Sequence, residues 1–176
     1  VIIALLGAEC TGKSSLTQRL GERLAAPTVP EYLREWCLRE GRTPRQHEQA
    51  AIAAEQQRRI LAVSAAPLLI ADTTALMTAV YSQHYFGDDS LLAAALASQR
   101  TVALTLLCCP EGIRWQGDGC LRDGEAARDA VHHRLLALLP AQRLPHVLLQ
   151  GPLERRVGEA EALIRSLFDG HNATPC

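Results

Sequence analysis

A parallel β-sheet covered by helices on both faces is the fold class this sequence predicts, and three observations predict it. Apolar runs recur at residues 1–7, 67–74, 101–109 and 146–151, each too apolar to face water on either side. Helical stripes separate these runs, so strand and helix alternate along the chain. At 176 residues and 48% apolar side chains the chain suits one compact domain with a full core, uninterrupted by any internal repeat or linker.

The elements follow in order. "VIIALLG" reads as a buried strand ending at glycine, and Leu16, Leu20 and Leu24 then recur at four-residue spacing as the buried face of a helix. Residues 27–30, bounded by Pro27 and Pro30, form a short extended passage. In "EYLREWCLRE" the side chains of Leu33, Trp36 and Cys37 share a face, and Gly41 to Pro44 break that helix. An alanine- and glutamine-rich helix is predicted over about 45–66, followed by the strand "PLLIADTT", whose proline is tolerable at a strand start. Helices at about 75–86 and 89–99 flank "FGDD", and the strand "TVALTLLCC" is stopped by Pro110. The stretch "EGIRWQGDGCLRDG" is too long and too polar for a mere connection; with the start of the helix at about 125–139 it predicts a lid over about 111–128. The strand "HVLLQG" and a helix over 153–168 complete a single domain at 1–168, and 169–176 is expected as a flexible tail.

Charge and composition narrow the function. A net charge of −1 and pI near 6.6 provide no basic field for nucleic acid or anionic membrane, so neither is an expected partner. No apolar run reaches the roughly 20 residues of a membrane span, and the opening strand has neither a basic leader nor a cleavage site. Cys10, Cys37, Cys108, Cys109, Cys120 and Cys176 show no metal-ligand spacing and read as reduced thiols of a cytoplasmic protein. His132 and His133 have no metal-ligand partner spaced with them, and fit surface or packing roles.

The chain has one lysine against seventeen arginines, and it lies in "GAECTGKSS". Gly7, Gly12, Lys13 and Ser14 satisfy G-x-x-x-x-G-K-[ST], a loop whose backbone N–H groups wrap a phosphate, here placed between a buried strand and an amphipathic helix. A compact ammonium fits among β- and γ-phosphate oxygens where a planar guanidinium is too large. Gly7, Ala8, Glu9, Cys10, Thr11, Gly12, Lys13, Ser14 and Ser15 are therefore assigned to ATP, with Ser14 and the strand-terminal Asp72 as the candidate Mg²⁺ residues. The fold becomes that of a kinase-like P-loop NTPase, with a five-stranded parallel sheet in the order 2-3-1-4-5.

Three reaction classes share such a loop. A guanine-reading N-K-x-D needs a second lysine, which this chain lacks. Hydrolysing motors commonly follow the aspartate with glutamate, and this chain has Thr73. A small-molecule kinase needs arginines that close on the transferred phosphoryl group, and Arg114, Arg122 and Arg128 lie in the lid, where a solvated arginine face is the competing role. Glu31 and Asp72 both fall at the carboxyl edge of the predicted sheet, and either can orient and deprotonate an acceptor hydroxyl. Glu31 equally fits a helix N-terminal carboxylate. Only seven aromatics exist, yet Tyr32 and Trp36 neighbour Glu31, Tyr81 and Tyr85 follow Asp72, and Trp115 lies in the lid. Such clustering suits a flat cationic ring, and core packing suits Trp36 and Tyr81 as well. Gly151 to Arg156 is a plausible adenine-side edge.

Read together, "GAECTGKSSL", "PEYLREW", "LLIADTTALMTAVYSQHYFG" and "RWQGDGCLRDG" resemble the ribosylnicotinamide kinase domain of NadR-type proteins and their stand-alone relatives, in order from residue 3 to about 165. The resemblance implies an ATP- and Mg²⁺-dependent kinase acting on the 5′-hydroxyl of nicotinamide riboside. It places Glu31, Tyr32 and Arg34 on the acceptor side, Asp72 and Thr73 at the reaction centre, and Trp115, Asp118 and Arg122 in the lid; Trp36 joins the acceptor side only through the aromatic clustering. It covers none of the DNA-binding or adenylyltransferase regions of longer relatives, so neither repression nor dinucleotide synthesis is expected. A nucleoside or nucleoside-monophosphate kinase is the alternative, in which Arg34 and Arg39 would face an acceptor phosphate. A nucleotide-binding regulatory module is the third.

Overall fold

The computed structural model describes residues 1–115 and 124–172. Five parallel strands lie in the order β2-β3-β1-β4-β5. They are β1 (Ile2–Leu6), β2 (Thr28–Val29), β3 (Leu69–Asp72), β4 (Leu104–Cys108) and β5 (His146–Leu149). Between and after them run α1 (Lys13–Leu24), α2 (Tyr32–Glu40), α3 (Gln49–Ala62), α4 (Ala75–Phe86), α5 (Leu92–Gln99), α6 (Glu125–Ala141) and α7 (Leu153–Asn172).

Alternation along the central strands sorts side chains between two cores. Ile3 and Leu5 of β1 and Leu106 and Cys108 of β4 pack with Leu16 and Leu20 of α1 and Val157, Ala160 and Ile164 of α7. Leu6 and Leu107 point the other way, into a core with Leu76 and Val80 of α4 and Val131 and Leu135 of α6. Burial on both faces is what a central parallel strand requires, and it explains the unbroken apolar runs in the sequence.

Several boundaries differ from the sequence expectation, each for a local reason. The helix expected over 45–66 opens as a 3₁₀ turn at Gln46–Glu48 and ends as α3 at Ala62. There the Glu48 carboxylate takes the Arg45 N–H at 2.7 Å and both terminal nitrogens of Arg42 at 2.7 Å. α5 starts at Leu92 rather than 89, since Asp88 accepts the Ser90 N–H at 2.9 Å and makes a turn of its own. The expected flexible tail is corrected for its first part: α7 runs on to Asn172, with no proline before Pro175 to stop it. Residues 173–176 lie outside the described residues.

β3 stops at Asp72 because Thr73 takes φ +75, which no strand residue can hold. Thr74 then caps α4, accepting the Leu76 N–H at 3.3 Å and donating to Gln99 Oε1 at 2.6 Å, while Gln99 Nε2 donates to Thr105 of β4 at 2.9 Å. This buried relay fixes the start of α4 against the sheet. Among the described residues no helix is long and apolar enough to cross a membrane.

Candidate active site

The loop after β1 supports itself before any ligand is considered. Gly7 has φ +152, and a Cβ there would sit 2.9 Å from the Cys108 carbonyl oxygen, so the loop leaves β1 by a path open only to glycine. Gly12, at φ +77, precedes α1 without a side-chain cap, which leaves the first-turn N–H groups to meet an anion. Lys13 is buried, and its Nζ donates to the carbonyls of Gly7 at 2.8 Å and Ala8 at 3.0 Å. Thr11 donates to the Ala8 carbonyl at 2.9 Å, while Ser14 and Ser15 remain exposed at the helix start.

Behind the loop lies a second cation. Arg156, in the first turn of α7, donates to the carbonyls of Gly151 at 2.7 Å, Thr11 at 2.8 Å and Cys109 at 2.9 Å, and is 2% exposed. It ties the phosphate loop to the ends of β4 and β5. The buried Cys108 thiol nearby is pushed up to about 11 by burial, against the opposing pull of Lys13 and Arg156. The signal for Arg156 was in the sequence: it falls three residues after Leu153 and beside Val157, within an apolar stripe where a charge needs a reason.

The acidic side is built at the ends of β2 and β3. Asp72 is buried and, among the described residues, its Oδ1 has no hydrogen-bond partner, nor has the Thr73 hydroxyl next to it. Thr73 donates its N–H to the Leu5 carbonyl at 3.0 Å. Asp72, Ser14 and Thr17 line one cavity of about 400 Å³. A buried carboxylate oxygen without a partner, in one cavity with a serine at a helix start, fits a hard cation. Among the described residues no three His, Cys, Asp or Glu side chains converge, so a cation held by Ser14 and Asp72 would draw its other ligands from phosphates and water.

Glu31 precedes α2, with the Arg34 Nε 3.8 Å from its carboxylate. Tyr81 of α4 is buried, its hydroxyl without a hydrogen-bond partner among the described residues. Burial raises the Tyr81 phenol well above its ordinary value, and the carboxylates of Glu31 and Glu9 raise it further. Glu9 belongs to the phosphate loop, so the charge of that loop and the charge of Glu31 act on the same phenol.

Other expected site residues have different neighbours. Trp36 is buried with Cys37 and Ile52, and the Arg42 guanidinium covers its ring at 4.9 Å. This environment fits the core-packing role that the sequence left open for Trp36 beside the acceptor-side one. Tyr32 carries the Arg59 guanidinium over its ring at 4.4 Å. Arg128 is buried in the first turn of α6 and donates to the Ile113 carbonyl at 3.1 Å, with Glu125 at 3.0 Å and Asp129 at 3.3 Å. Arg114 is exposed, and the Trp115 indole N–H is buried without a partner among the described residues. Asp118 and Arg122 lie outside the described residues.

Comparison with known proteins agrees with this architecture. Residues 2–156, most of the chain, match the AAA domain family. The chain belongs to that family. No curated protein matches the sequence. Among solved structures, this AAA domain is similar to a NadR protein in complex with NR, with a TM-score of 0.73 and 21% identity over 94% of this chain and 50% of that one. A NadR protein in complex with NAD and AMP-PNP has a TM-score of 0.68 and 20% identity over 93% and 48%. A deoxyadenosine kinase from M. mycoides, solved with dCMP and dCDP, has a TM-score of 0.68 and 10% identity over 94% and 100%. The chain thus spans about half the length of the NadR chains. At these identities the likeness establishes the fold.

Proposed function

We propose that this AAA domain is an ATP-dependent nucleoside kinase, with nicotinamide riboside as the acceptor. The observation that carries the proposal is the phosphate loop, with Lys13 seated in it, beside one cavity that Ser14, Asp72 and Pro30, the neighbour of Glu31, all line. A phosphoryl acceptor seated there lies beside the γ-phosphate, and two carboxylates with an aromatic ring favour a pyridinium. The kinds of molecule named in the similar structures, NR and deoxynucleotides, support a nucleoside-like acceptor.

Each residue then has a task. Lys13 and the N-terminus of α1 hold the phosphate oxygens, and Arg156 keeps the loop in shape beneath them. Ser14 and Asp72 would hold Mg²⁺, which neutralises charge on the β- and γ-phosphates. Glu31 or Asp72 orients the 5′-hydroxyl and takes its proton as the oxygen attacks. Arg114, Arg122 and Arg128 belong to the lid, in which Arg128 anchors the segment through Ile113.

The monophosphate-kinase alternative needs arginines open to an acceptor phosphate. Arg34 lies 3.8 Å from the Glu31 carboxylate and Arg39 bonds Glu40 at 3.0 Å, so both already face a carboxylate. Purified protein with MgATP and a panel of nicotinamide riboside, common nucleosides and nucleoside monophosphates is the deciding assay. Product from nicotinamide riboside is expected; product only from a monophosphate or thymidine overturns the acceptor, and no product from any of them overturns the kinase.

A further inference from the structure

We infer that Gln56 is the positioning residue that sets the separation of Glu31 and Asp72. The inference rests on the kinase reading and deepens it. Gln56 is 1% exposed and lies on the inward face of α3 with Ile52, Ala53 and Ile60. A buried primary amide has two donors and one acceptor to satisfy, and its partners here are all backbone. Its Oε1 accepts the Tyr32 N–H at 2.7 Å, and its Nε2 donates to the carbonyls of Pro30 and Thr73, both at 3.4 Å.

Those partners are the peptides around the two candidate carboxylates. The Pro30 carbonyl and the Tyr32 N–H flank Glu31, and the Thr73 carbonyl follows Asp72 directly. One side chain thus clamps two loops that come from opposite sides of β3 in sequence. The clamp meets strain at one end. Thr73 is β-branched at φ +75, a conformation costing about 1–3 kcal/mol that persists only when its surroundings hold it. Leu5 holds its N–H at 3.0 Å and Gln56 holds its carbonyl.

The role demands an amide. A glutamate of the same shape accepts from Tyr32 but, when ionised, has nothing to donate to the two carbonyls, and a leucine fills the space without either function. A core filler would change both substrates' constants together through general loosening. A clamp on the loops of Glu31 and Asp72 changes the acceptor's constants and spares ATP bound without Mg²⁺, whose phosphate loop Gln56 does not touch.

The first test uses the unmodified protein. Tyr32 is the first residue of α2, where an N–H has no partner within its helix and ordinarily exchanges fast. Amide hydrogen exchange is expected to show Tyr32 protected, and rapid exchange there overturns the inference whatever the variants do. In Gln56→Leu that protection should vanish while α1 exchanges as before; a Tyr32 amide still protected also overturns it. In Gln56→Glu the acceptor KM should rise and kcat fall, together by about tenfold in kcat/KM, with the Kd of ATP measured without Mg²⁺ unchanged. Lowering the pH from about 8 to about 6 should restore part of the loss in that variant only, since a buried carboxyl regains its proton in this range and can donate again. Equal changes for acceptor and ATP, or no pH-dependent recovery, overturn the inference. If the unmodified protein phosphorylates no nucleoside, the kinase reading fails by itself and the exchange measurements still decide the clamp.

Discussion

Arg156 donates to the Thr11 carbonyl at 2.8 Å, joining α7 to the phosphate loop across 145 residues of sequence. With the Cys109 and Gly151 carbonyls as further partners, one guanidinium satisfies three acceptors that come together only in the folded chain. Arg156→Met should leave buried carbonyls unpaired and cost about 3 kcal/mol, measured by urea unfolding, together with a loss of ATP affinity. Arg156→Lys should recover only part of this, since a point charge cannot span three directions.

Lys13→Ala should weaken ATP binding about tenfold to a hundredfold, the scale of losing a charge-assisted hydrogen bond, as read by calorimetric titration. Lys13→Arg should not restore it, because the loop interior that seats Nζ between the Gly7 and Ala8 carbonyls is too small for a guanidinium. Full affinity in the arginine variant would show that charge alone matters there.

Asp72→Asn and Glu31→Gln separate metal organiser from base. At least one should lower turnover about tenfold, or about 1.4 kcal/mol of barrier, in the nucleoside assay. The metal organiser is the residue whose change also raises the Mg²⁺ concentration needed for half-maximal rate. If neither variant loses turnover, the acceptor side has been placed on the wrong residues.

Tyr81→Phe should leave the unliganded protein as stable as before or more so by about 1 kcal/mol, since the hydroxyl it removes is buried without a partner. The acceptor KM should rise in the same variant, because the acceptor would lose that hydroxyl as a hydrogen-bond partner. A stability loss comparable to a core truncation would instead assign the phenol a packing role.

Acid sensitivity should come from the ion pairs around α3. The Arg42 guanidinium and the Arg45 N–H hold Glu48 at about 2, and Arg58 and Arg59 hold Glu55 at about 2, both against an ordinary 4.5. Folded-state values below the unfolded ones mean stabilisation that is fully present above about pH 4.5 and is lost as pH falls toward about 2. Thermal unfolding of the unmodified protein should show that loss, and Glu48→Gln should reduce its steepness.

The phosphate loop and four of the strands were legible from local pattern: apolar runs, glycine spacing, and a single lysine in an arginine-rich chain; the strand order came with the P-loop fold class that the loop implies. Asp72 was legible for the same reason, as the polar residue ending an apolar strand. Trp36 stayed open between two roles, since helical spacing puts it on a buried face without saying that Arg42 covers that ring. Gln56 was overlooked, and Arg156 was read only as part of an adenine-side edge, although each interrupts an apolar stripe, because a polar residue there announces a buried partner without naming it.

By itself, then, the sequence determined the sheet, its helical cover and the loop that meets a phosphate, all set by short-range periodicity and backbone conformation. Tertiary structure alone decided which groups share the site: Glu9 with Glu31 at Tyr81, Gln56 between the peptides of Glu31 and Asp72, and Arg156 under Thr11. The physical reason is that these are bonds and fields between segments far apart in the chain. Their partners are largely backbone carbonyls and amides, which every residue carries and no sequence pattern distinguishes.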